Sequence, residues 1–271
     1  MFSEASHDFD WIAHDFPPFM WQFSRMLFDQ FDRIRIVNLA SRPDRRREME
    51  HQLSLVGLLD DPRVEFFEAI HRVDRGPFRK AGSHGAYLGH MHLLEQATAA
   101  NESILILQDD CDFLVPDIES YRMPPEWDVF YGGYSASDPD NLDASDIIGA
   151  HFMGFSPASA RLACRYLGQL YRSADFPPDP RASREPGFDP AIRPPIDGAL
   201  VWFRRAHPEI RTVFAMLSYQ RSSRTDIGEQ KWFDKVPGLR GLAEAARRAK
   251  RLLAPQLAAP TGEAGTFPRH G

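Results

Sequence analysis

Asp109, Asp110 and Asp112 crowd the end of the apolar run Ser103-Ile104-Leu105-Ile106-Leu107-Gln108. Carboxylates this close repel one another unless positive charge stands among them. A hard divalent cation, Mg²⁺ or Mn²⁺, meets that need, because it takes oxygen ligands and keeps positions open for phosphate oxygens. Asp110-Cys111-Asp112 therefore reads as an Asp-x-Asp motif that holds a metal-bound diphosphate through Asp110 and Asp112. The competing reading is a set of loop acids that cap the next helix or face water.

A second group of chemistry-bearing residues follows the run Arg33-Ile34-Arg35-Ile36-Val37-Asn38-Leu39, where Arg42, Arg45, Arg46 and Arg47 cluster around Pro43. A strand that passes directly into a helix N-terminus is a ready anion site, and arginines add charge and bidentate geometry. The alternative is an exposed basic face with Arg46 and Glu50 paired at four-residue spacing. His84, His90 and His92 have no standard zinc spacing, so structural or hydrogen-bonding roles suit them better.

These side chains need a scaffold. The run before the acids is too short for an ordinary helix and rich in branched residues, which predicts a fully buried parallel strand. In open α/β sheets, ligand sites form beyond the carboxyl ends of such strands. Further strands are expected at Arg33–Leu39, Val64–Ala69, Trp127–Gly133, Ile147–Phe155 and Thr212–Leu217. Helices are expected from Pro43 to Gly57, Ser83 to Ala100 and Ser156 to Tyr171. Pro195–Phe203 returns the chain to the core, with Asp197 in a turn before a strand. Strands alternating with helices imply an α/β sheet.

Outside that core, residues 1–31 form an aromatic-rich extension in which Met20, Phe23, Leu27 and Phe31 recur at helical spacing and are expected to pack on a core. The main domain is expected over 32–226. A basic amphipathic helix over 227–254 suits docking on the domain or peripheral contact with an anionic membrane surface, and 255–271 reads as a disordered tail. Charged residues at 26% and hydrophobic residues at 43% fit a globular protein. A net charge of −6 argues against a general nucleic-acid binder. Two cysteines make no disulfide framework and suggest a reducing compartment. With no signal-like N-terminus and no apolar stretch near the ~20 residues of a membrane span, a cytoplasmic location is expected. Oligomeric state is left open.

Several motifs, in order, resemble glycosyltransferase family 25, which includes bacterial lipooligosaccharide galactosyltransferases and collagen galactosyltransferase domains. Ile36-Val37-Asn38-Leu39 with Arg42 and Arg45-Arg46, then Phe66-Phe67-Glu68-Ala69, is similar to its opening. Gly82-Ser83-His84 through His90 resembles its Gly-rich turn and helix, and Leu107-Gln108-Asp109-Asp110 its acidic strand end. Gly149-Ala150-His151-Phe152 and Pro195-Ile196-Asp197 resemble its later segments. The chain departs from the pattern at Gln108 (usually Glu), Gly89 (Ser), Ala150 (Thr) and Gly198 (often His).

The resemblance implies a GT-A-like, Rossmann-type sheet, mixed but mostly parallel and flanked by helices. It implies inverting transfer of galactose or glucose from a UDP-sugar to a glycan or lipooligosaccharide acceptor, with Mn²⁺ or Mg²⁺. Asn38, Arg42, Arg45, His90 and His151 would then bind the donor, Asp110 and Asp112 the metal, and Asp197 would be the base, with Asp109 second. Two other classes are expected alternatives. A haloacid-dehalogenase-type phosphatase also carries Asp-x-Asp after a strand, but has Thr or Val where Leu114 stands. A non-catalytic nucleotide-sugar-binding or assembly protein would keep the scaffold without the chemistry.

Overall fold

All of Ile104–Leu107 is buried, Ile104 and Ile106 in one apolar core and Leu105 and Leu107 in another. Burial on both faces is why this run is continuously apolar instead of alternating. It is the third strand of a sheet in the computed structural model, which describes residues 27–173 and 188–221 together with Arg184. Residues up to Arg221 form one compact unit.

In chain order the strands are β1 (Arg33–Asn38), β2 (Val64–Glu68), β3 (Ile104–Gln108), β4 (Cys111–Phe113), β5 (Val129–Tyr131), β6 (Ser135–Ala136), β7 (Ile147–Ile148), β8 (Phe152–Phe155), β9 (Thr212–Phe214) and β10 (Ser218–Gln220). The helices are α1 (Pro43–Leu55), α2 (Ala81–Ala100), α3 (Val115–Ser120), α4 (Pro157–Arg172) and α5 (Ile196–Ala206). Six strands make the main sheet in the order β2-β1-β3-β8-β5-β9. β1 is parallel to both β2 and β3, β9 is parallel to β5, and β8 runs antiparallel between β3 and β5. The fold is thus α/β, a mixed, mostly parallel sheet with flanking helices.

α1 covers one face, with Met49 and Leu53 packed among Ile34, Ile36, Leu105 and Leu107. On the other face, α2, α4 and α5 bring Leu94, Leu167 and Leu200 onto Ile106, Tyr131 and Met153. Pro43 at the start of α1 and Pro157 at the start of α4 suit a first helical turn. The Ser156 side chain caps α4 by accepting from Ser159 N. Leu27, Phe28 and Phe31 are buried in the α1 face, as the aromatic spacing predicts; Met20 and Phe23 lie outside the described residues. So do the basic helix expected over 227–254, the tail over 255–271 and most of the proline-rich 176–195 stretch. Among the described residues no helix is long and apolar enough to cross a membrane.

Three expectations are corrected. Pro195–Phe203 leads into helix α5, not a strand: Ile196, Ala199, Leu200 and Phe203 are all buried at helical spacing, and a short apolar run fits either period. Ile147–Phe155 is two strands, because Gly149 takes a φ of 154° that breaks the extended backbone. The acidic strand also ends early. After a turn at Asp109–Asp110 the chain enters β4, which leaves the main sheet to pair antiparallel with β10, a strand absent from the sequence reading.

Candidate functional site at the β1–β3 switch point

β1 and β3 run side by side, but their other neighbours lie in opposite directions along the sheet. This is a topological switch point, where loops diverge and leave a crevice beyond the carboxyl ends. Asn38 ends β1, and Asp109 follows β3 at the same edge. Asn38 Nδ2 donates to Asp109 Oδ2 at 2.7 Å, and Arg45 on α1 donates to Asp109 Oδ1 at 3.0 Å. Arg45 also lies 3.7 Å from Asp110 Oδ2. All four side chains are buried. A sequence neighbourhood of arginines after β1 therefore meets the acids after β3, as expected for Asn38, Arg45, Asp109 and Asp110.

Asp110 is the unbalanced member. Its Oδ2 accepts from Gln220 Nε2 at 3.2 Å, but its Oδ1 is buried with no hydrogen-bond partner. Burial pushes its carboxyl up to about 6, against the pull of Arg45 and with the Asp109 charge adding to the rise. An anion with an open, water-excluded oxygen favours an incoming cation or a proton. Asp112, two residues on, is differently placed: Oδ1 accepts from Arg221 Nε at 2.9 Å and from Nη2 at 2.5 Å. Arg42 folds back on Asp44, at 2.8 Å, and that hydrogen bond draws the Asp44 carboxyl down to about 2. The Arg42 carbonyl accepts from Asn38 Nδ2 at 3.2 Å.

The second set of expected site residues gathers around the turn before β8. Asp197, in the first turn of α5, accepts from Gly149 N at 3.2 Å and from Ala150 N at 2.8 Å, both on Oδ1. His90 on α2 is buried, its Nδ1 2.9 Å from the Ala86 carbonyl, and burial holds its imidazole below the ordinary histidine value. His151 joins the two sets, because its carbonyl accepts from Gln108 N at 3.0 Å. Its imidazole lies against Gly133, where a Cβ would sit 2.5 Å from His151 Nε2.

Sequence reasoning missed Gln220 and Arg221, which reach the acidic turn because β10 pairs with β4. Asp112 and Arg221 are 109 residues apart, so no spacing could signal their contact. Among the described residues no group of three His, Cys, Asp or Glu side chains is arranged to hold a metal. An ion at Asp110 would therefore complete its shell with substrate oxygens and water.

No family model matches this chain, and no curated protein matches it. The functional reading thus rests on the site's own chemistry.

Proposed function

We propose that this chain is a metal-dependent glycosyltransferase on a GT-A-like sheet, moving galactose or glucose with inversion from a UDP-sugar to a glycan or lipooligosaccharide acceptor. The observation that carries this reading is the buried, unpartnered Asp110 Oδ1 beside Arg45 at a sheet switch point. Nucleotide phosphates favour such crevices, where strand ends, a helix N-terminus and fixed guanidinium charge converge. Resemblance to glycosyltransferase family 25, on the motifs named above, supplies the sugar and the donor class.

The residues fit a hard ion through Asp110. Mn²⁺ or Mg²⁺, when bound, supplies Lewis-acid neutralisation of a departing diphosphate. The chain's own groups divide the remaining work. Arg45, anchored by Asp109, adds fixed positive charge next to the acidic turn, and Asn38 keeps Asp109 from swinging away. Both Asp109 oxygens accept hydrogen bonds, so it serves better as anchor than as base. Asp197 is the proposed general base: two backbone N–H groups orient its Oδ1, and Oδ2 takes no part in those bonds. His90 and His151 flank the donor side in this reading.

The test is calorimetry of the full chain with UDP-galactose and UDP-glucose in the presence and absence of Mn²⁺, followed by donor hydrolysis and transfer assays. Asp110→Ala should abolish Mn²⁺-dependent turnover while the circular dichroism spectrum stays native. Turnover unaffected by this change removes the proposal. One observation favours a second reading, a non-catalytic nucleotide-sugar-binding protein: Arg221 already engages Asp112, leaving fewer carboxylates for an ion. Donor binding without turnover, across a panel of acceptors, would select it.

A further inference from the structure

The acidic turn carries a cation of its own. Arg221 directly follows β10 and donates from two nitrogens to Asp112 Oδ1, while its Nη1 reaches Glu48 on α1. Its backbone N–H donates to the Asp110 carbonyl at 2.6 Å, and Gln220 donates to Asp110 Oδ2. Tyr219 pairs with Asp112 in the β4–β10 register. Ser218 through Arg221 thus forms a strap across the turn, tied to it by backbone and side-chain bonds.

Asp112 is 3% exposed, and a carboxylate so buried needs a resident counter-charge to stay ionised. A guanidinium that donates from two nitrogens to one carboxylate is a strong, charge-assisted arrangement. The two acids of Asp110-Cys111-Asp112 are therefore unequal. Asp112 is committed to an internal cation, whereas Asp110 keeps a buried oxygen with no partner.

We propose that Arg221 is a positioning residue that withholds Asp112 from the ion site, so that a divalent cation binds through Asp110 alone unless the guanidinium lets go. This rests on the reading that the turn holds an ion. Exchange of Arg221 for an ion at Asp112 converts a one-carboxylate site into a two-carboxylate site. Glu48 opposes the exchange by holding the far side of the guanidinium. The salt bridge thereby sets ion affinity, independently of which sugar is carried.

The test is calorimetry of the full-length chain with MnCl₂ alone. Arg221→Gln should bind Mn²⁺ about tenfold tighter than the native chain, since affinity for hard ions rises with the number of charged ligands. Adding Asp112→Asn to Arg221→Gln should return affinity to the native level. Arg221→Lys keeps the charge and should stay near native. Where Arg221→Gln does not fold, Glu48→Gln loosens only the outer contact and should tighten Mn²⁺ about threefold.

Unchanged or weaker Mn²⁺ binding by a folded Arg221→Gln, or a gain that survives Asp112→Asn, overturns the proposal. So does unaltered binding by Glu48→Gln where that is the variant available. Tighter Mn²⁺ binding by Arg221→Gln with no UDP-sugar binding to any variant upholds the role of Arg221 and removes sugar transfer. UDP-sugar turnover by the native chain with no Mn²⁺ gain in Arg221→Gln does the reverse. Absence of Mn²⁺ binding by every variant removes both.

Discussion

Arg45 on α1 and Asp109 at the end of β3 meet at 3.0 Å with 64 residues of chain between them. Their side chains are 9% and 7% exposed, so the contact is a buried ion pair. It ties the helix that follows β1 to the turn that follows β3, across the crevice between them. Removing one partner of such a pair leaves an uncompensated charge, a far larger cost than the net value of the pair.

Arg45→Gln is accordingly expected to destabilise the protein by about 3–5 kcal/mol. Asp109→Asn added to it should recover much of that loss, since no bare charge remains. Urea unfolding of the single and double variants checks this. A midpoint unmoved by Arg45→Gln would mean that water or another residue neutralises Asp109.

Asp110 gives the stability curve a slope of definite sign. Its carboxyl titrates at about 6 in the folded protein, raised by burial from an ordinary value of 3.8. Between these values the native state holds a proton that the unfolded chain has lost. Stability therefore falls as pH rises through that window and levels off above it. Asp110→Asn removes the penalty, so the variant should gain up to about 3 kcal/mol over the native chain above pH 6 and little below pH 4. Urea titrations of both proteins at several pH values would show the difference; a gap that is constant with pH contradicts it.

Asp197 can be separated into its structural and chemical parts. Asp197→Asn keeps an oxygen that accepts from Gly149 N and Ala150 N, so thermal stability should hold. Transfer should fall by about 10²–10⁴-fold if the carboxylate is the base, with donor affinity preserved. Asp197→Ala strands both N–H groups and should cost about 1–3 kcal/mol as well. Full transfer by Asp197→Asn would clear it of the proton-accepting role.

Gly133 has no room for a side chain. A Cβ there would lie 2.5 Å from His151 Nε2 and Ser218 Oγ, and 2.7 Å from the Ser218 carbonyl. The carbonyl belongs to β10 and cannot step aside without moving the strap. Gly133→Ala should lower stability by about 1–3 kcal/mol, read as a drop in melting temperature. Mn²⁺ affinity should shift with it, because Gln220 and Arg221 are carried on the same strap. A native melting temperature would show that the loop relaxes freely.

Local reading worked best where burial imposes a pattern on neighbouring residues. Ile104–Leu107 is apolar at every position because cores lie on both of its faces. Pro43, the arginines after β1 and the acids after β3 mark strand ends that do converge. Reading failed where a short segment suits two periods, as in α5, or where one residue redirects the chain, as Gly149 does before β8. No local feature announces β10, since its three residues pair only with β4.

The amino-acid sequence by itself determined that a buried strand ends in acids, and that an arginine-rich helix start follows another strand. Hydrophobic periodicity and turn chemistry act over a few residues and are written locally. Only the tertiary structure decided which cation each acid meets: Arg45 for Asp109, Arg221 for Asp112, and an open oxygen on Asp110. Charge pairing depends on distance in space and on exclusion of water, and both are set by strand order and packing, not by position along the chain.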